Sequence, residues 1–415
     1  MILSSDKAQK TEFIAQKMVF GGSCLGKIKG KNVFVPYAIP GERLEIQIEK
    51  SFKDYDHAKI VRVLEPSALR VEPACPLYQK CGGCNMMHID YQEQLRLKKA
   101  VVQELMEKAG VKIPKIELVY GQSLGYRSRF QLRDGGMEGR STNDVVPTQS
   151  CPVAVGQINE WLMKEPMEKR PKGKGCLFGH QNAEPSLSFA LKAESQKTRP
   201  PKKSGKKDKK HGNKAPKARF EGIKENEQCP VQIVVCGKKI AFDARGFFQS
   251  NIGMLEKSLP LILDGLSGKT ALDMYSGAGT FSVFLADKFE KVVMVEADRA
   301  ALVFAERNMA GLSHESYGIS GADFARRAAD EAQARLGGFD AALLDPPRAG
   351  IEKEALDWLC RSGIKTIKYL SCNPSSQSRD LASLEKSGYS ITDLRLLDFY
   401  PQTSHIESLA TCMKI

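Results

Sequence analysis

The sequence has no long hydrophobic run: nothing in its 415 residues approaches the roughly 18 consecutive apolar residues that span a bilayer. The amino terminus, Met1-Ile2-Leu3-Ser4-Ser5-Asp6, has no basic stretch followed by an apolar one, so it does not read as a secretory signal. No membrane role is expected, and a cytoplasmic protein is. Eleven cysteines are too few over this length for a disulfide scaffold, and in the cytoplasm they should be reduced. An excess of one charge is also missing from most of the chain. The net charge is +13, but Lys192–Arg219 holds twelve Lys/Arg against two Asp/Glu, and Lys164–Lys174 holds five against two. Those two stretches account for the whole excess, so the charge does not mark the folded parts as basic. What is present is 42% apolar content, enough for real cores. At roughly 100–200 residues per domain, two or three domains are expected.

Residues 12 to about 65 alternate in short apolar strands: Asn32–Tyr37, Arg43–Ile48 and Ala58–Val63, with Ile39-Pro40-Gly41-Glu42 as a turn. Five or so strands at this spacing suggest a small OB-type barrel over 1–65, a fold that often binds oligonucleotides. A second unit, 66–229, opens with clustered cysteines. It continues with a helix from Tyr91 to Ala109 and a basic strand from Gly125 to Phe130. Within it, 192–219 is low in complexity and too polar to fold, so a flexible basic insertion is expected there, either a solvated linker or a segment that captures RNA electrostatically. From 230 to 415 strands and helices alternate. Apolar strand cores at Thr270–Asp273, Val292–Val295, Ala341–Leu344 and Ile367–Leu370 predict a doubly wound α/β sheet with ligands at its carboxyl edge.

The strand Ala271–Met274 runs into Tyr275-Ser276-Gly277-Ala278-Gly279-Thr280-Phe281-Ser282. Two glycines permit a tight turn against a ligand, but Ser282 stands where a dinucleotide fingerprint needs a third glycine. Asp273-x3-Gly277-x-Gly279 instead resembles the first motif of class I S-adenosylmethionine methyltransferases. Glu296, ending the next strand, suits both hydroxyls of a ribose. Asp323 beside Phe324 suits an adenine edge and face.

Two more strand tips face that crevice: Asp345-Pro346-Pro347-Arg348 and Ser371-Cys372-Asn373-Pro374. A cysteine there points to carbon methylation of a pyrimidine. Carbon 5 of uracil cannot attack a sulfonium methyl unaided, whereas a thiolate added at carbon 6 places electron density on carbon 5. A base must then remove the carbon 5 proton, and Glu407 in His405-Ile406-Glu407 is the candidate.

With these residues in view, the chain resembles the RNA 5-methyluridine methyltransferase family over nearly its whole length. The resemblance implies that Cys372 is the nucleophile and Glu407 the base. It implies too that Gln249, in Phe247-Phe248-Gln249-Ser250-Asn251, contacts the cofactor with Tyr275, Glu296 and Asp345. The first domain resembles the TRAM barrel of the ribosomal-RNA branch. Ser276 and Thr280 depart from the family's usual Cys and Asn.

Cys75-x5-Cys81-x2-Cys84 supplies three soft ligands, with Cys151 in Cys151-Pro152 as the best fourth. Spacing alone admits zinc or a [4Fe-4S] cluster; one pair plus two single ligands leans towards iron–sulfur. The resemblance strengthens this, since the ribosomal-RNA branch carries such a cluster and the tRNA branch lacks it. The expectation is therefore a monomeric, cytoplasmic 23S rRNA uracil-5-methyltransferase using S-adenosyl-L-methionine. A tRNA enzyme and a non-catalytic RNA-binding or assembly protein are the alternatives.

Overall fold

A computed structural model describes residues 10–191 and 229–415; the basic 192–219 segment lies outside the described residues. The first unit is a curled six-stranded sheet in the order Lys10–Ile14, Arg43–Ser51, Tyr55–Glu65, Lys31–Pro36, Ser23–Ile28, Lys17–Met18. Alternate residues point inward, burying Phe13, Val33, Val35, Leu44 and Ile46. Met86, Ile89 and Leu97 of the next unit complete that core. A buried carboxylate closes the seam: Glu42 pairs with Arg70 at 2.6 Å and accepts from the backbone of Ile39 and Ser67.

The helix Tyr91–Lys108 begins at Asp90, whose side chain accepts from the Gln92 and Glu93 amides. Leu95, Val102 and Met106 are buried on one face, as their spacing implies. The basic strand sits later than expected. Arg129–Arg133 is the strand, while Arg127 makes isolated bridges to Ala154 and Asn251. The cause is competition: the 125–128 backbone pairs with Pro152, Val153 and Ser250 rather than with one neighbouring strand.

The last unit is built on an eight-stranded sheet. Its order is His314–Tyr317, Phe289–Val295, Gly268–Met274, Ala341–Leu344, Thr366–Ser371, Glu407–Lys414, Tyr389–Leu397 and Glu117–Val119. The first five strands are parallel, and Thr270–Met274 is buried on both faces as parallel strands require. The chain leaves Gly268–Met274 towards one side and returns on the other, which places a topological switch point at its carboxyl end. Glu407–Lys414 runs antiparallel to its neighbours. Glu117–Val119, from the segment assigned to the central unit, joins this sheet at its edge. Among the described residues no helix is long and apolar enough to cross a membrane.

Candidate active site

Register explains how the two proposed catalytic residues meet. Ser371, the last residue of its parallel strand, lies opposite Ser408 on the antiparallel strand. An antiparallel strand begins where its parallel neighbour ends, so Glu407 stands beside Cys372 at the sheet's carboxyl edge. Asn373 caps the helix Pro374–Lys386 by accepting from the Ser375 amide, and its amide nitrogen donates to the Arg348 carbonyl at 2.8 Å. Ser376 donates to the same carbonyl. These bonds lash the Asp345-Pro-Pro-Arg turn to the cysteine turn.

The electrostatics agree with that proximity. Burial, then Glu407 and Asp345, push the Cys372 thiol up to about 11, and Arg348 offsets part of this. Burial and Asp345 hold the Glu407 carboxyl well above the ordinary range. Asp345 is raised by burial and by Asp273 and Glu296. Asp273, fully buried and accepting from the Ser282 hydroxyl, is pushed up to about 7. Four carboxyls and one thiol therefore share a neighbourhood that disfavours a further negative charge.

The glycine turn is shaped for a ligand. Gly277 and Gly279 take φ of 56° and 74°, and a Cβ on Gly277 would meet open space. Glu296 is fixed by the amides of Gly277 at 2.8 Å and Asp298 at 2.6 Å. The Ser276 hydroxyl is buried there without a partner, and Tyr275, at φ 69°, donates its hydroxyl to Glu352. Gln249 is buried next to Phe248, which stacks on Phe242 at 3.9 Å. Asp323 differs from the rest: it lies in the first turn of the helix Gly321–Arg327, paired with Arg326 and Arg327.

A cavity of about 700 Å³ extends from Cys372, Arg348 and His405 past Arg127 and Phe130 to Cys75, Cys81, Cys84 and Cys151. None of the four cysteines is in a disulfide. Burial pushes the Cys84 thiol up to about 12, with Cys151, Cys81 and Cys75 adding to the rise and Arg127 opposing it. Among the described residues no three His, Cys, Asp or Glu side chains are gathered as the ligands of a metal ion. Arg127 and His405 line this cavity although sequence patterning gave neither a role, whereas Arg348 lines it from the strand tip where its position after Asp-Pro-Pro placed it. Burial and nearby Arg348, Arg127 and Lys98 push His405 down to about 4, so it faces the cavity uncharged.

A parallel sheet with a glycine turn, and acids at the tips of successive strands, defines an S-adenosylmethionine-dependent methyltransferase preceded by a small β-barrel. Similarity to known proteins narrows this. The tRNA (Uracil-5-)-methyltransferase family model matches residues 224–414, and the TRAM domain model matches 16–61. An uncharacterized RNA methyltransferase of Treponema denticola is 34% identical, covering 98% of this chain and 100% of its own. The 23S rRNA (uracil(1939)-C(5))-methyltransferase RlmD of Shewanella amazonensis is 31% identical over 97% of this chain and 95% of its own. The Pyrococcus abyssi tRNA (uracil-54, C5)-methyltransferase, solved with S-adenosyl-L-homocysteine, shares the fold. Its TM-score is 0.68 at 22% identity, over 98% of this chain and 100% of that one. The chain belongs to the family of S-adenosylmethionine-dependent RNA uracil-5-methyltransferases.

Proposed function

We propose that this protein methylates carbon 5 of a uridine in 23S rRNA through a covalent adduct with Cys372. The observation that carries the reading is the convergence of Cys372, Glu407 and Asp345 at one sheet edge, beside the glycine turn. In this account Gln249, Tyr275, Glu296, Asp323 and Asp345 would hold S-adenosyl-L-methionine, which would supply the methyl group. As the uracil is seated, Cys372 gives up its proton to solvent and its thiolate adds to carbon 6, the 5,6 π pair moving into an enolate. Carbon 5 would then take the methyl group as the carbon–sulfur bond of the sulfonium breaks, the sulfur keeping the pair and leaving as S-adenosyl-L-homocysteine. Glu407, as carboxylate, removes the carbon 5 proton; the freed electron pair forms the 5,6 double bond, and the sulfur departs as thiolate. Because Glu407 is held towards its neutral form, seating the substrate must also release its proton to solvent.

Cys75, Cys81, Cys84 and Cys151 would hold a [4Fe-4S] cluster. The four thiols are free of disulfides and line one cavity, and the other three help to push the Cys84 thiol up, as would suit a cationic iron core. Its role is structural or in RNA placement, since the methyl transfer moves no electrons between centres. The division proposed is 1–65 for the barrel, 66–229 for the cysteine unit and 230–415 for the methyltransferase unit, acting as a cytoplasmic monomer. On the barrel, Phe52 stacks on Tyr55 at 4.7 Å with His57 and Phe34 edge-on, a surface suited to RNA bases.

The ribosomal target is supported by relatives near 30% identity that carry that activity in their names. A tRNA target is the second reading, favoured by the whole-chain likeness in fold to the archaeal enzyme. Mapping 5-methyluridine in ribosomal and transfer RNA from cells with and without the protein decides between them. Loss at one 23S position is expected; loss confined to tRNA would overturn the assignment.

A further inference from the structure

The segment between Tyr389–Leu397 and Glu407–Lys414 leads into the base. Asn251 holds it from within the methyltransferase unit at the Phe399 carbonyl, and most of its remaining anchors come from outside that unit. Lys98 is 1% exposed and pairs with the fully buried Asp398 at 2.6 Å. Its ammonium also donates to the Tyr400 carbonyl at 3.1 Å. Gln94 exchanges two bonds with Gln402, at 2.9 Å and 3.0 Å. The amides of Asn85 and Met86 both donate to the Gln402 carbonyl. The Asn85 side chain accepts from the Ser404 amide at 2.7 Å and donates to its hydroxyl at 2.8 Å. Gln402 is held at φ 65°, a left-handed conformation that a non-glycine residue keeps only when its surroundings over-determine it. Asn85 directly follows Cys84, so the seam begins at the cysteine centre and ends three residues before Glu407.

We propose that Asn85, Gln94 and Lys98 are positioning residues for the base, fixing the chain that places Glu407 against carbon 5. The inference rests on the reading of Glu407 as that base. Cys372 is held by a separate set of bonds, from Asn373 and Ser376 to Arg348, which the seam does not touch. Strand pairing fixes the backbone of Glu407 from Leu397 and Ser371 onward, and the seam fixes the chain that enters it, so loosening the seam shifts the base at the strand's first residue relative to the nucleophile. Addition and methyl transfer are spared. The step that slows is the last one, in which Glu407 takes the carbon 5 proton and the carbon 6–sulfur bond breaks to return the thiolate.

The test is single-turnover kinetics with the full chain, radiolabelled S-adenosylmethionine and in vitro transcribed, unmodified 23S rRNA. Formation of protein-linked methylated RNA and its release are followed separately. Asn85→Ala removes both side-chain bonds to Ser404. Lys98→Met with Asp398→Asn removes the ammonium without leaving a lone buried charge. Both should form the linked species at the wild-type rate. Both should release it roughly tenfold to 100-fold more slowly, the range expected when a reacting group is misplaced by about 1 Å. Unchanged release would overturn the inference, as would equal slowing of formation and release, or a loss confined to RNA affinity. If neither variant folds, the seam is a folding element and the inference also falls. Glu407→Gln run in parallel separates the two claims: wild-type release by that variant removes the reading of Glu407 itself, whatever the seam variants do.

Discussion

Cys372 rests as a neutral thiol. Burial, Glu407 and Asp345 raise it to about 11, against about 8.5 for a free cysteine. A raised thiol pKa keeps the proton bound through neutral pH, so the proposed mechanism requires the substrate to alter the surroundings of Cys372 before a thiolate forms. In RNA-free protein, alkylation of Cys372 by iodoacetamide should be slower than that of free cysteine at pH 8 and still climbing at pH 10. Peptide mass spectrometry across pH 7–10 checks this, and a plateau by pH 9 would contradict it. At this scale the sequence is readable for identity and silent on state. Ser-Cys-Asn-Pro at a strand tip marked the candidate nucleophile, but its protonation depends on carboxyls from two other elements. Asp323 shows the reverse limit: an acid beside an aromatic was visible, while its pairing with Arg326 and Arg327 arose from the helical turn that forms there.

Elements carry the next layer. The apolar runs at Thr270–Asp273 and Ala341–Leu344 announce buried parallel strands because both faces must be covered. Nothing in Glu407–Lys414 announces that it runs the other way, which is the fact that seats Glu407 beside Cys372. Glu117–Val119 is too short to show a period, and Lys98 and Asp398 meet across 300 residues with no local signal. That buried pair gives a direct stability test. Lys98→Met alone strands a buried carboxylate and should cost about 3–5 kcal/mol, the usual loss when one partner of such a pair is removed. Denaturant unfolding measures it. A loss below about 1 kcal/mol would mean that the pair is solvated or neutral, against the burial seen here.

At the scale of the whole molecule, the barrel core continues into the cysteine unit through Met86, Ile89 and Leu97, and the cysteine unit shares one cavity with the methyltransferase tips. The cysteine spacing suggested a metal centre. That the four cysteines line the same cavity as Cys372 was not legible, because it follows from the docking of two units. Anaerobically purified protein should be brown, with about four irons and four sulfides per chain, and Cys81→Ala should lose both. RNA affinity should fall more than S-adenosylmethionine affinity in that variant, since the glycine turn lies in another unit. Stoichiometric zinc without iron or sulfide would overturn the cluster.

The central claim is that Cys372 bonds to the base it helps to methylate. Carbon 5 bearing fluorine has no proton for Glu407 to remove, so the reaction must halt with RNA still attached. Incubating the protein with S-adenosylmethionine and 5-fluorouridine-substituted 23S rRNA, then digesting and sequencing the linked peptide, tests this directly. A methylated fluorouridine joined to Cys372 is expected, with no linkage in Cys372→Ala. Linkage at another residue, or turnover retained by Cys372→Ala on unsubstituted RNA, would contradict it.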